Sequence, residues 1–306
     1  MCARRRPGTP DSPDSPDSPD SPDTMADPAA DPMAGKTRFD DIYDLPDPRS
    51  YFSRLAPYEY EIPHHAQGVF RRTLAARRAG APPGPRGDGA GDGFTVLDLC
   101  CSYGINAALL NHDLTLADLY AHYAGPETAE LSTSELIDLD KEFYAARRRP
   151  DAVRLVGVDT AANATAYALA VGLLDEAYAE NLERVPPSPG LARAMSGVGL
   201  ITVTGGIGYV THRTFDALLD CVRLPPWVSA FVLRTVPYDR IAQSLAAHGL
   251  VTASDPARTF PQRLFTSAEE QRDAVDRVRA LGLDPAGLEA QGRYYTRLHE
   301  SRPRPA

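Results

Sequence analysis

Residues 96–104, Val-Leu-Asp-Leu-Cys-Cys-Ser-Tyr-Gly, decide the fold. Residues 94–99 form an apolar run too short for a core helix, and they read as a buried strand. A tight, mostly small-residue turn then reaches Gly104, and residues 104–110 read as a helix. Small residues let the backbone approach a ligand, and a helix N-terminus favours negative charge. The unit repeats downstream. Residues 153–158, 198–203 and 228–233 are apolar runs, and helical segments follow each at 161–174, 211–222 and 239–248. Apolar strands alternating with helices predict a parallel sheet covered on both faces. Residues 258–265 and 294–300 alternate more, flank a helix at 268–281, and predict an antiparallel pair at the edge.

Working outward, residues 113–150 are a helical insertion between the first helix and the second strand, placed near the carboxyl edge of the sheet, with Thr133 or Ser134 as cap of its second helix. Residues 37–78 form an N-terminal cap. Its aromatic-rich part holds Phe39, Ile42, Tyr43, Tyr51, Phe52, Leu55, Tyr58, Tyr60 and Ile62, and Val69, Phe70 and Leu74 mark one face of a helix at 67–78. Residues 79–93 are Gly- and Pro-rich and read as a flexible linker to the sheet domain at 94–306. Residues 1–36 carry a Pro-Asp-Ser repeat with no apolar side chain to bury, and so predict disorder. Met25 and Met33 within this tail offer later translation starts.

The chain of 306 residues carries a net charge of −9. The first 35 residues hold three arginines against seven aspartates, so −4 of that charge belongs to the tail and −5 to the rest. An acidic chain without clustered Lys and Arg is not a general nucleic-acid binder, and residues 147–149, all arginine, read as a solvated helix face. There is no apolar run long enough for a membrane helix and no apolar signal core. Cys2, Cys100, Cys101 and Cys221 form no CxxC pair, and no His-rich cluster accompanies them, so no metal site is expected and a reducing cytoplasm is.

Ligands of open parallel sheets bind beyond the carboxyl ends of the strands. Three strand ends here carry suitable residues: Asp98 to Gly104, Asp159 after VGV, and residues 204–209, TGGIGY. In this order they resemble the class I S-adenosylmethionine-dependent methyltransferases. Asp98 stands at the family's acidic position and Gly104 at the last glycine of its turn, while Cys100 and Ser102 replace the other two glycines. The resemblance covers about residues 94–300. It implies a doubly wound, mostly parallel α/β sheet of seven strands with an antiparallel edge strand, and S-adenosylmethionine as cofactor. It assigns the cofactor's amino-acid end to Asp98, Cys100, Ser102 and Gly104, with Tyr103 beside them, the ribose to Asp159, the adenine to Asn181, and the sulfonium side to Thr204, Gly205 and Gly206.

On the acceptor side, candidates are Tyr58, Tyr60, His64 and His65 in the cap, Asn106, and Tyr209, His212, Arg234, Tyr238 and Arg263 after later strands. Tyr209, Tyr58 and His64 are the residues expected to take part in catalysis, although aromatics more often serve packing. Arg234 ends a buried strand, where an arginine is costly unless paired, so a carboxylate partner is expected from either the protein or the substrate. Cys100 and Cys101 read as small hydrophobes before they read as nucleophiles. The expected function is methyl transfer to a small molecule under the cap and inserted helices. Two alternatives remain at this level. One is cyclisation of S-adenosylmethionine to azetidine-2-carboxylate with release of methylthioadenosine, and the other is non-catalytic nucleoside binding.

Overall fold

The computed structural model describes residues 33–80 and 94–304, so most of the expected tail and linker lies outside the described residues. Seven strands form one sheet: β1 (Thr95–Leu99), β2 (Arg154–Asp159), β3 (Glu176–Ala179), β4 (Val198–Thr204), β5 (Trp227–Leu233), β6 (Leu250–Leu264) and β7 (Arg293–Pro303). Their order is β3-β2-β1-β4-β5-β7-β6. The first five strands are mutually parallel. β7 runs antiparallel to both of its neighbours and is inserted between β5 and the outermost β6. This is the α/β sheet expected from the sequence, with its antiparallel pair at the edge. β3 has no apolar run to announce it: its four residues, Glu-Ala-Tyr-Ala, are half-buried or exposed at the other edge.

Side chains alternate across the strands. In β1, Leu97 and Leu99 face one core, built on α9 (Pro189–Met195), α10 (His212–Leu219) and α11 (Asp239–Ala247) through Leu191, Phe215, Leu218 and Leu245. Val96 faces the other, built on α3 (Ile62–Ala79), α4 (Ile105–Asn111) and α8 (Ala162–Ala170). Each large apolar side chain buried in these layers contributes about 1.5–3 kcal/mol.

Residues 37–78 do not form a separate cap. α3 is part of the helical layer on the sheet, with the Phe70 ring 5.7 Å from Phe231 of β5. Arg71 donates to the carbonyls of Leu109 and His112, satisfying the C-terminal end of α4. Residues 33–60, which include α1 (Asp40–Tyr43) and α2 (Arg49–Leu55), and the first turn of α3 stand over the strand ends. The boundary of the tail also moves: Met33 is buried, its side chain close against Gly208, so residues 33–36 belong to the folded body.

The insertion is helical, as α5 (Leu116–Ala124), α6 (Pro126–Ala129) and α7 (Thr133–Ala145). The N-cap of α7 is Ser132, not Thr133 or Ser134, because Glu135 three residues on completes a reciprocal capping box with it. α5 packs on α2, where the Phe52 and Tyr123 rings stack at 4.6 Å. α12 (Ala268–Ala280) covers the β6–β7 pair.

Candidate functional site

The strand order reverses between β1 and β4, and a cavity of about 740 Å³ opens at their carboxyl ends. Its floor begins with the turn after β1. Cys100, Ser102 and Gly104 have φ of +59°, +48° and +77°. Every second residue is therefore left-handed, the conformation in which glycine is at ease and a side chain costs about 1–2 kcal/mol. The turn is fixed from outside, since Cys100 N–H donates to the Val158 carbonyl at 2.8 Å. On the other side Gly206 presses onto it: a Cβ there would lie 2.4 Å from Cys100 Sγ.

Two carboxylates organise the floor. Asp98 is buried in β1, and its Oδ1 accepts from Asn106 Nδ2 and Thr202 Oγ1, both at 3.0 Å. Asn106 also donates to Thr204 Oγ1 at 2.9 Å, so β1, β4 and α4 share one network. Burial outweighs these hydrogen bonds and raises the Asp98 carboxyl to about 7. Asp159 ends β2 and accepts the backbone N–H of Ser102 at 2.8 Å and of Ala161 at 3.0 Å. Burial raises its carboxyl as well, against those bonds.

The wall beyond β3 is Asn181 to Arg184. Asn181 Oδ1 accepts the Glu183 N–H, and Glu183 in turn accepts the N–H and hydroxyl of Thr211 and of Thr214 at the start of α10. The roof comes from Lys36, Arg38, Phe39, Tyr43, Tyr51 and Tyr60, and Gln262 and Arg263 of β6 close the far side. Arg263 is buried and paired with Glu270 by two hydrogen bonds.

Of the expected cofactor residues, Cys100, Ser102, Asp159, Asn181, Thr204, Gly205 and Gly206 line this one cavity. Asp98 and Gly104 lie behind its wall, where Asp98 holds Asn106, which does line it. Tyr103 is elsewhere: its buried hydroxyl bonds Ile42 and Leu45 and ties α1 and the residues just after it to the turn before α4. Among the three expected catalytic residues, only Tyr209 reaches the cavity. His64 is exposed on α3, because the helix turns Ile62 and Ala66 inward instead. Tyr58 packs its ring on Phe39 at 5.5 Å. Of the other acceptor-side candidates, Tyr60, Asn106 and Arg263 line the cavity, whereas His65, His212, Arg234 and Tyr238 do not. Arg234 has its carboxylate partner in Glu289, so that pair is structural. The inserted helices contribute no lining residue. Lys36, Asp44 and Gln262 line it unannounced; Lys36 carried one signal, as one of only two lysines in a chain with thirty arginines.

Two buried polar atoms, Ser102 Oγ in the floor and Asp98 Oδ2 behind it, lack a hydrogen-bond partner among the described residues. Gly205 is left-handed at φ +71°, and a Cβ there would stand 3.1 Å from the Tyr60 hydroxyl. Orphaned polar atoms beside a bare backbone floor fit the amino-acid end of an amino-acid nucleoside, and the volume suits such a ligand with a small second molecule.

No protein-family model matches the chain, and no curated protein matches it in sequence. Solved structures do resemble it. One is the YcgJ protein of Bacillus subtilis, at 9% identity and a TM-score of 0.43, over 79% of this chain and 100% of that one. A geranyl diphosphate methyltransferase in complex with GPP and sinefungin follows at 11% identity and 0.39, over 76% of each chain. A putative sarcosine dimethylglycine methyltransferase from Galdieria sulphuraria gives 11% and 0.38, over 78% of this chain and 85% of that one.

Proposed function

We propose that this chain transfers a methyl group from S-adenosylmethionine to a small-molecule acceptor held in the cavity roofed by residues 36–60. The observation that carries the reading is the floor: three left-handed residues at 100, 102 and 104, clamped by Asp159 and Gly206. A turn strained in this way, with glycine at only one of its three left-handed positions, is held open for a ligand to approach its backbone. Asp159 grips the ribose hydroxyls with the lone pairs that its two backbone bonds leave over, Asn181 bounds the adenine, and Asn106, Ser102 and the Asp98 network receive the amino-acid end.

S-adenosylmethionine, when bound, supplies a methyl group already activated by its positive sulfur. What remains for the chain is to hold an acceptor in line and to exclude water. Tyr43, Tyr51 and Tyr60 pack over the strand ends and provide that roof. Calorimetry tests the reading: wild type binds S-adenosylmethionine and S-adenosylhomocysteine, and Asp159→Ala weakens both by about 10- to 100-fold, the worth of charge-assisted hydrogen bonds. Absence of binding by wild type overturns it. Product analysis should find S-adenosylhomocysteine; methylthioadenosine formed from the cofactor alone would replace methyl transfer by cyclisation.

A further inference from the structure

We propose that Lys36 is the base that removes the proton from the acceptor, and that the acceptor is therefore a hydroxyl or amine nucleophile. This rests on the methyl-transfer reading above. Lys36 lines the cavity, and its ammonium lies 5.5 Å above the centre of the Tyr209 ring, with Nζ 3.5 Å from the Tyr209 hydroxyl. It makes no ion pair among the described residues, in a body where buried Arg234 and Arg263 each have a carboxylate. Gln262 supplies the second observation. It lines the same cavity, is 2% exposed, and its Oε1 has no hydrogen-bond partner among the described residues. An unpartnered amide oxygen and an ammonium without a carboxylate, both lining one cavity, are groups that a polar ligand there can engage.

The residue type matters too. Position 36 keeps a lysine although arginine outnumbers lysine thirty to two. An arginine would supply charge there as well; what it cannot do is give up its proton. The charged groups facing Lys36 are Arg38 and Asp40 on its own segment, Arg263 from β6 and Glu270 from α12, with the Tyr209 hydroxyl from the loop after β4. Burial, then Arg263, draw the ammonium down to about 8 against the pull of Glu270 and Asp40, so a useful share is neutral at working pH. In the step itself, the acceptor's proton passes to the Nζ lone pair. The electron pair left on the acceptor's oxygen or nitrogen forms the bond to the methyl carbon, and the pair of the broken carbon–sulfur bond stays on sulfur.

Two measurements on the full chain decide this. Competitive labelling with isotopic acetic anhydride, read by mass spectrometry of the two lysine peptides, reports the state of the amine without any substrate. Lys36 reactivity should be half-maximal near pH 8 and level off about one pH unit above it; reactivity that is still climbing at pH 10, as an ordinary lysine ammonium at about 10.4 requires, overturns the proposal. Transfer from labelled S-adenosylmethionine is then assayed on a panel of phenols, alcohols and primary amines. Wild type should use at least one, with a rate that rises through pH 8. Lys36→Arg should lower that rate about 100-fold or more, while its calorimetric binding of S-adenosylhomocysteine stays within twofold. An unchanged rate in Lys36→Arg, or a wild type that binds S-adenosylhomocysteine yet methylates none of the panel, rejects Lys36 as the base. A wild type that fails to bind S-adenosylhomocysteine rejects the cofactor reading instead, and the acetylation profile still reports on Lys36.

Discussion

Cys100 and Gly206 meet where two loops close on the cavity floor, and their contact has a testable sign. Gly206 has no left-handed φ, so what forbids a side chain there is space: the new Cβ would stand 2.4 Å from Cys100 Sγ and 2.7 Å from its Cβ. Gly206→Ala should therefore destabilise by about 1–3 kcal/mol, as overpacking does. Cys100 sits at φ +59°, so Cys100→Gly removes both the obstructing sulfur and the strain of a left-handed side chain. The double variant should recover at least half of the loss, and the coupling is read from a cycle of urea unfolding curves followed by circular dichroism. If the two substitutions simply add, the loops do not press on one another. The sequence made this turn legible through Asp98, Gly104 and the small residues between them. It could not tell that Cys100 and Ser102 take the glycine conformation, because that is imposed by partners far along the chain, Val158 and Asp159.

Among the elements, the strands with apolar runs and the helices with a clear face could be read directly. β3 could not, being a four-residue edge strand with little to bury. The role of Tyr103 was hidden for a different reason. Its neighbours in sequence line a cavity, while the side chain itself is captured by backbone groups of residues 42–45, some sixty positions earlier. The insertion looked like cover for the site but serves as a buttress behind α2, and one buried acid holds it. Asp140 of α7 is fully buried and accepts from the Tyr123 hydroxyl at 2.5 Å and the Tyr167 hydroxyl at 2.6 Å, with His122 Nε2 at 2.6 Å. Three helices, α5, α7 and α8, meet on that carboxylate. Asp140→Ala strands several buried donors at once, each costing about 1–3 kcal/mol. A loss on the order of 3 kcal/mol or more in chemical denaturation is expected, together with faster amide exchange across α5 and α7. A loss below about 1 kcal/mol would mean that the insertion is held by its apolar contacts alone.

Across the whole molecule, residues 33–44 are drawn back over the strand ends by the far end of the chain, and this long-range closure is why Lys36 and Gln262 could not be placed in one cavity from sequence. Glu270 on α12 is the fastener. It accepts two hydrogen bonds from Arg263, takes the Thr37 N–H at 2.7 Å and the Thr266 N–H at 2.6 Å, and so joins the N-terminal segment to β6. Burial pushes its carboxyl up, but the hydrogen bonds and charge of Arg263, with those backbone N–H groups, win and hold it at about 2. An unfolded glutamate titrates near 4.3. Because the folded value is the lower one, the fastening is fully present above about pH 4.3 and disappears as the pH falls through about 2. The protein should therefore lose on the order of 3 kcal/mol across that interval from this group alone. Glu270→Gln leaves Arg263 buried without a counter-charge and should cost about 3–5 kcal/mol at neutral pH. Its stability should also be flatter between pH 4.3 and 2 than that of wild type. Hydrogen exchange resolves where the loss falls: amides of residues 37–43 should exchange faster in the variant while those of β1 and β4 keep their protection. Uniform loss of protection across the sheet would instead make Glu270 part of the global core, with no special hold on the roof of the site.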